Sequence, residues 1–203
     1  LSSPQIIHWI DELVEKRITA LPDSTATFDL QIMDTQEALK NKIFQLDEQE
    51  GLSRILSTFD YVHKKDGAEY LVDPEGINLP WNTSDSKITW AERSDTIREV
   101  GSIYTVQGFD LNHVGVVLGP SIDYDPLTGQ LVVDIEKYKD TGAFAGREDM
   151  DLQSTNKAKE KIILNSVNIL MKRAIKGLYI YAVNPNLRAK LLELQRERGK
   201  QNG

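Results

Sequence analysis

The sequence predicts an α/β fold built on a largely parallel sheet. Two observations carry this. Short β-branched runs, SRILSTF (53–59), VGVVLG (114–119) and LYIYAV (178–183), lack the alternation of a sheet wetted on one face and read as strands buried on both. Segments with apolar residues at helical spacing fall between them, as the crossovers of parallel strands require.

Each element has a local reason. Residues 3–18 read as a helix, with Ser3 as cap, Pro4 at the first helical position, and Ile6, Ile10, Leu13 and Val14 on one face. The turn-rich LPDSTA (21–26) breaks the chain before a strand, FDLQIMD (28–34). Thr35 caps a second helix, which carries Ala38, Leu39, Ile43, Phe44 and Leu46 to about residue 49. Residues 60–95 hold Gly67, Asp73-Pro74, Gly76, Pro80 and Trp81-Asn82, and read as a hairpin or long loop with EYLVD (69–73) as a candidate strand. YDPLTGQLVVD (124–134) predicts a hairpin turned by Pro126 and Gly129. Residues 137–156 are polar and glycine-containing, which predicts an exposed, mobile loop. The clearest helix spans 157–174, with Ile163, Val167, Leu170, Met171 and Ala174 on its buried face and Gly177 as its stop. Asn184 or Asn186 then caps a last helix carrying Leu187, Leu191, Leu192 and Leu194.

Bulk composition narrows the function. The net charge of −7 means that any nucleic-acid contact needs a local basic face or another domain, because phosphate contacts dominate such affinity. There are no cysteines, so disulfides and thiolate zinc sites are excluded. No apolar run approaches the ~20 residues of a spanning helix, and no signal peptide opens the chain; we expect a cytoplasmic protein without membrane contact. The chain begins on Leu1 rather than Met, so we expect a piece of a longer protein. G-x-x-x-x-G-K-[ST], G-x-S-x-G, H-E-x-x-H and G-x-G-x-x-G are all missing. His8, His63 and His113 have no metal-ligand spacing and read as structural, and no metal ligands are expected in this chain.

Three segments have the chemistry of a site. In Thr105–Asp110, Gly108 lets the backbone approach a ligand, Thr105 and Gln107 offer hydrogen-bonding groups, and Asp110 suits a ribose hydroxyl or an ordered water. In MKRAIKG (171–177), Arg173 can present a guanidinium fork to a phosphate from the end of the long helix. Ser53-Arg54, at the head of a strand, is the third. Bland roles are open to the first two: Thr105 and Gln107 can close a tight turn, Asp110 can be a solvated acid, and Lys172 and Arg173 suit any helix C-terminus through its dipole.

Taken in order, the segments resemble a family. IYTVQGFDLNHVGVVLG (103–119) is similar to motif V of superfamily 1 helicases, and SVNILMKRAIKGLYIYA (166–182) to their motif VI. With GLSRILSTFDYV (51–62) and PWN (80–82), nearly the whole chain resembles the C-terminal half of the Schlafen-like ATP-binding DNA/RNA helicase family of bacteria. The resemblance implies one RecA-like P-loop NTPase second domain over residues 1–203, with insertions at about 60–95 and 120–156. It implies Arg173 as an arginine finger, Gly108, Asp110 and Lys172 near the nucleotide, and Thr105, Gln107 and Arg54 toward nucleic acid. The family's motif V acid is usually Glu, one methylene longer than Asp110, and Lys172 stands where motif VI usually has Thr. ATP and Mg²⁺ would be cofactors of the full-length protein, whose own N-terminal RecA-like domain would supply the phosphate loop and metal ligands. The chain alone would then be inactive, and the other partner would be single-stranded DNA or RNA. An ATP-regulated switch or scaffold that mediates protein contacts without unwinding is the alternative.

Overall fold

A computed structural model describes residues 3–82, 87–146 and 151–203. Five parallel strands form its central sheet: β1 (Asp29–Ile32), β2 (Ser53–Ser57), β5 (Val100–Gly101), β6 (Leu111–Leu118) and β9 (Ala174–Ala182), in the spatial order β1-β9-β6-β2-β5. The three apolar runs singled out above are the three inner strands. Successive residues of β9 go to opposite faces. Leu178, Ile180 and Ala182 join the larger core, while Tyr179 and Tyr181 join the smaller one. Helix α2 (Gln36–Glu50) covers the smaller core with Leu39 and Ile43. Helices α1 (Pro4–Val14), α3 (Leu152–Met171) and α4 (Pro185–Gln201) cover the larger one with Ile6, Ile10, Ile163, Val167, Leu187 and Leu191. The result is the expected α/β class: a parallel sheet flanked by helices, of RecA-like type.

Several local expectations are corrected. Ser3 occupies the N-cap position, but its hydroxyl accepts no backbone N–H, and α1 stops at Val14 because Lys16 adopts φ 65°. Thr35 does cap α2, its hydroxyl accepting from the Ala38 N–H at 3.0 Å. Asn184 precedes α4 but donates instead to the carbonyls of Pro120 and Ile122 at 2.9 and 2.8 Å. Helix α3 begins earlier and ends earlier than expected. Asp151 caps it by accepting from the Ser154 N–H at 3.0 Å, and it ends at Met171, so Gly177 lies inside β9 and stops nothing. Gly177 has a packing reason instead: a Cβ there would sit 2.7 Å from His113 Nδ1 and 2.9 Å from the Tyr179 ring.

The described residues of the two stretches expected to be insertions carry regular structure; residues 83–86 of the first lie outside the described residues. Within 60–95, β3 (Leu71–Val72) and β4 (Leu79–Pro80) pair as a small antiparallel hairpin, and 3₁₀ turns at Trp90–Glu92 and Ser94–Arg98 lead into β5. Within 120–156, β7 (Ile122–Asp125) and β8 (Gln130–Val133) form the hairpin, with Gly129 at φ 70°. The segment read as an exposed loop at 137–156 is partly anchored: Tyr138 is 3% exposed in the larger core, and Phe144 packs against it. The part of that loop at 147–150 lies outside the described residues.

Loops at the carboxyl ends of β2 and β6 are clamped together. Asp60 accepts from the Ser121 N–H and O–H at 2.7 and 2.9 Å, and the Thr58 hydroxyl accepts from the Gly119 N–H at 2.8 Å. Burial pushes the Asp60 carboxyl up to about 6 despite the two donors.

Candidate functional site

The segment from Ser102 to Asp110 runs from the carboxyl end of β5 to the amino end of β6, so it crosses from one edge of the sheet to the other. Its first turn is held locally. The Ser102 N–H donates to the Thr105 hydroxyl at 3.0 Å, and the Thr105 N–H donates to the Ser102 carbonyl at 3.0 Å. The Thr105 hydroxyl donates onward to Asn82 Oδ1 at 2.8 Å. Val106 is fully buried in the larger core and pins the middle. Gln107 and Gly108 are exposed beyond it, Gly108 at φ 76°, the left-handed region that glycine enters without strain.

At the far end the chain brings Asp110 and Arg173 together. Leu111 and Ala174 are register partners, and the Leu111 N–H donates to the Arg173 carbonyl at 2.9 Å, so the residues just before them are neighbours on the amino edge of the sheet. Arg173 Nη1 lies 3.6 Å from Asp110 Oδ1, with the arginine side chain 25% and the acid 56% exposed. That separation is an ion pair rather than a hydrogen bond. Arg173 Nε is buried and has no hydrogen-bond partner among the described residues. An exposed pair of this kind contributes about 0–1 kcal/mol, so a better acceptor can displace the acid. Arg173 sits in the turn between α3 and β9, just past the helix rather than on its last turn.

Lys172, the other basic residue of that turn, is engaged elsewhere. Its Nζ donates to Asp11 Oδ1 at 2.6 Å, tying the end of α3 to α1. A nucleotide would have to compete with that pair. Arg54 is a correction. It is 2% exposed, and all five guanidinium N–H groups are donated internally: to the Thr96 hydroxyl, to Asp47 Oδ1, and to the carbonyls of Ser53, Ala91 and Arg93. It is a buried post joining β2, α2 and the 3₁₀ turns, with no donor left for a nucleic acid.

At the opposite, carboxyl edge lies a cavity of about 640 Å³. Phe59, His63, Trp90, Tyr104 and Thr105 are among its walls. The Tyr104 hydroxyl, pushed up to about 12 by burial and by Asp140, donates to the Asp140 carboxylate. Sequence reasoning missed this cavity, because its walls come from four separate segments. The spacing of the histidines offered no hint of His63, which reaches the cavity by tertiary packing. Among the described residues, no group of three or more His, Asp or Glu could hold a metal, and no helix is long and apolar enough to cross a membrane.

One comparison decides the family. Residues 1–184 match the family described as Schlafen group 3, DNA/RNA helicase domain. The chain belongs to the Schlafen group 3 helicase family. Among relatives of this Schlafen helicase domain is an uncharacterised protein of Saccharomyces cerevisiae, 37% identical over 209 residues. The alignment covers 95% of this chain and 46% of that relative, so the chain spans about half the relative's length. The relative is fungal, so the likeness is not confined to bacteria. No solved structure matches this Schlafen helicase domain.

Proposed function

We propose that this chain is the second RecA-like half of an ATP-dependent DNA or RNA helicase or translocase of the cytoplasm, and that Arg173 is its arginine finger. The observation that carries the reading is the Arg173–Asp110 pair: two groups from separate motifs, side by side on an open edge and loosely bonded. ATP would be the substrate, and its Mg²⁺ would be held by ligands of an N-terminal domain preceding this chain. More than half of the yeast relative lies outside the matched region, which leaves room for such a domain.

The chemistry follows from the residues. In the resting chain Asp110 neutralises Arg173. Closure of a partner domain over this edge would exclude water and strengthen the pull of phosphate oxygens on the guanidinium fork. Asp110, once released, is an acceptor for a ribose hydroxyl, and Gly108 leaves the adjoining backbone open to a ligand. Lys172, held by Asp11, fixes the turn that carries Arg173. Thr105 lines the aromatic cavity and Gln107 lies between it and this edge, on one continuous segment through the buried Val106 that would couple the two.

Nucleic-acid-stimulated hydrolysis tests this reading against the ATP-regulated switch. ATPase turnover of the full-length protein is expected to rise on addition of single-stranded DNA or RNA. A rate indifferent to both would favour a switch that never engages a strand.

A further inference from the structure

The cavity at the carboxyl edge has an internal architecture that the motifs do not account for. Trp81 is 2% exposed and lies against two other rings: Phe59, with centroids 5.2 Å apart and planes 19° apart, and His63, at 6.0 Å and 6°. Phe59 and His63 are themselves 6.3 Å apart and nearly parallel. These two border the cavity and Trp81 does not, so the buried indole lies behind a surface of two nearly parallel rings that line the opening. Tyr104, 59% exposed, stands edge-on to Phe59 at 80° and forms a wall at right angles to that surface. Lys65 and Lys139, both exposed, stand at the cavity's margin.

This is the chemistry of a stacking site with cations at its border. Burial, helped by Lys65, holds the His63 imidazole below its ordinary range, so the ring is neutral near pH 7 and offers a π-face rather than a charge. Every base presents such a face whatever its identity, but only when it is unpaired and unstacked. A volume of about 640 Å³ has room for a base and its sugar. In a chain of net charge −7, two lysines beside an aromatic floor are the local basic surface that phosphate contact requires.

We infer that this cavity receives one unstacked base of a single-stranded DNA or RNA, laid on the Phe59–His63 surface with its flanking phosphates beside Lys65 and Lys139. The inference rests on the reading of the chain as the nucleic-acid-facing half of a helicase. It adds where the strand touches. Tyr104 and Thr105 belong to the same segment that ends at Asp110, so an occupied cavity bears directly on the stretch leading to Arg173.

The test is equilibrium binding of fluorescent poly-dT and poly-U oligonucleotides to the full-length protein without ATP. His63→Ala removes one of the two rings that line the cavity. Phe59→Leu keeps an apolar filler but removes the ring. Each is expected to weaken binding roughly 5- to 100-fold, the scale of losing one base–aromatic stack. Lys65→Ala and Lys139→Ala are each expected to flatten the salt dependence by about one phosphate contact. Quenching of a 2-aminopurine placed in the strand, lost in Phe59→Leu, reports stacking independently of affinity. If the wild type binds either polymer and both ring variants bind it equally well, the cavity inference is overturned and the helicase reading stands. If the wild type binds neither, both fall. If adenosine monophosphate competes as well as an oligonucleotide, the cavity is a mononucleotide site and the inference is overturned.

Discussion

Arg173→Ala in the full-length protein is expected to lower ATPase turnover by about 10³–10⁵-fold, the range seen when an arginine finger is withdrawn. That corresponds to about 4–7 kcal/mol of transition-state stabilisation. ATP affinity is expected to stay within about tenfold, because the loss falls on charge that develops during transfer rather than on ground-state binding. The fold is expected to tolerate the change: the side chain is 25% exposed, and its ion pair to Asp110, the one it makes among the described residues, is long and solvated. Arg173→Lys keeps the charge but not the planar fork, and is expected to recover only part of the rate. Steady-state kinetics at saturating ATP decides the matter. Wild-type turnover in the alanine variant would remove Arg173 from catalysis.

Arg54→Met is expected to destabilise the chain by about 3–5 kcal/mol, the usual cost of breaking a buried charged network by removing one partner. The guanidinium is 2% exposed, packs 6.0 Å from the Trp90 ring, and satisfies five acceptors at once. Its Nη1 donates to Asp47 at 2.7 Å and to the Ser53 carbonyl at 2.7 Å, while Nη2 bridges the carbonyls of Ala91 and Arg93. Methionine fills similar space but removes all five donors, leaving Asp47 Oδ1, on a carboxylate only 17% exposed, with the Ser53 N–H and no cation. Against a typical total of about 5–15 kcal/mol, that is a large share. Lysine has three donors to replace five, so Arg54→Lys is expected to recover only part of the loss. Urea unfolding with the midpoint and slope both measured checks this. A loss under about 1 kcal/mol would show that the post is not holding β2 to the turns that precede β5.

The two arginines show what the sequence could and could not reveal. Both are candidate site residues next to or at the head of predicted strands, Arg173 toward a phosphate and Arg54 toward nucleic acid. Their difference lies in partners far along the chain: Thr96, Ala91 and Arg93 close over Arg54, whereas among the described residues the Arg173 guanidinium pairs with Asp110 alone. Burial of that kind is made by tertiary packing and has no local signature. The inner strands were legible because residues buried on both faces leave continuous apolar runs. The first turns of α3 were not. From Leu152 to Lys161 that helix carries few apolar side chains, so periodicity had nothing to mark, and its cap, Asp151, stood in a stretch that read as loop. Gly177 misled for the opposite reason: it looked like a helix stop, but its missing Cβ makes room for His113 and Tyr179. Within the site, Thr105 and Asp110 could be named from their motif. That they stand toward opposite edges of the sheet follows only from the crossover between β5 and β6.

The most direct measurement is a structure of the full-length protein with Mg²⁺ and a mimic of the phosphoryl-transfer transition state. Arg173 is expected to leave Asp110 and donate to the oxygens at the transferred-phosphate position at ~2.7–2.9 Å, the length of a charge-assisted hydrogen bond. Arg173 still paired with Asp110 while the mimic sits in a cleft elsewhere would contradict its assignment as the arginine finger.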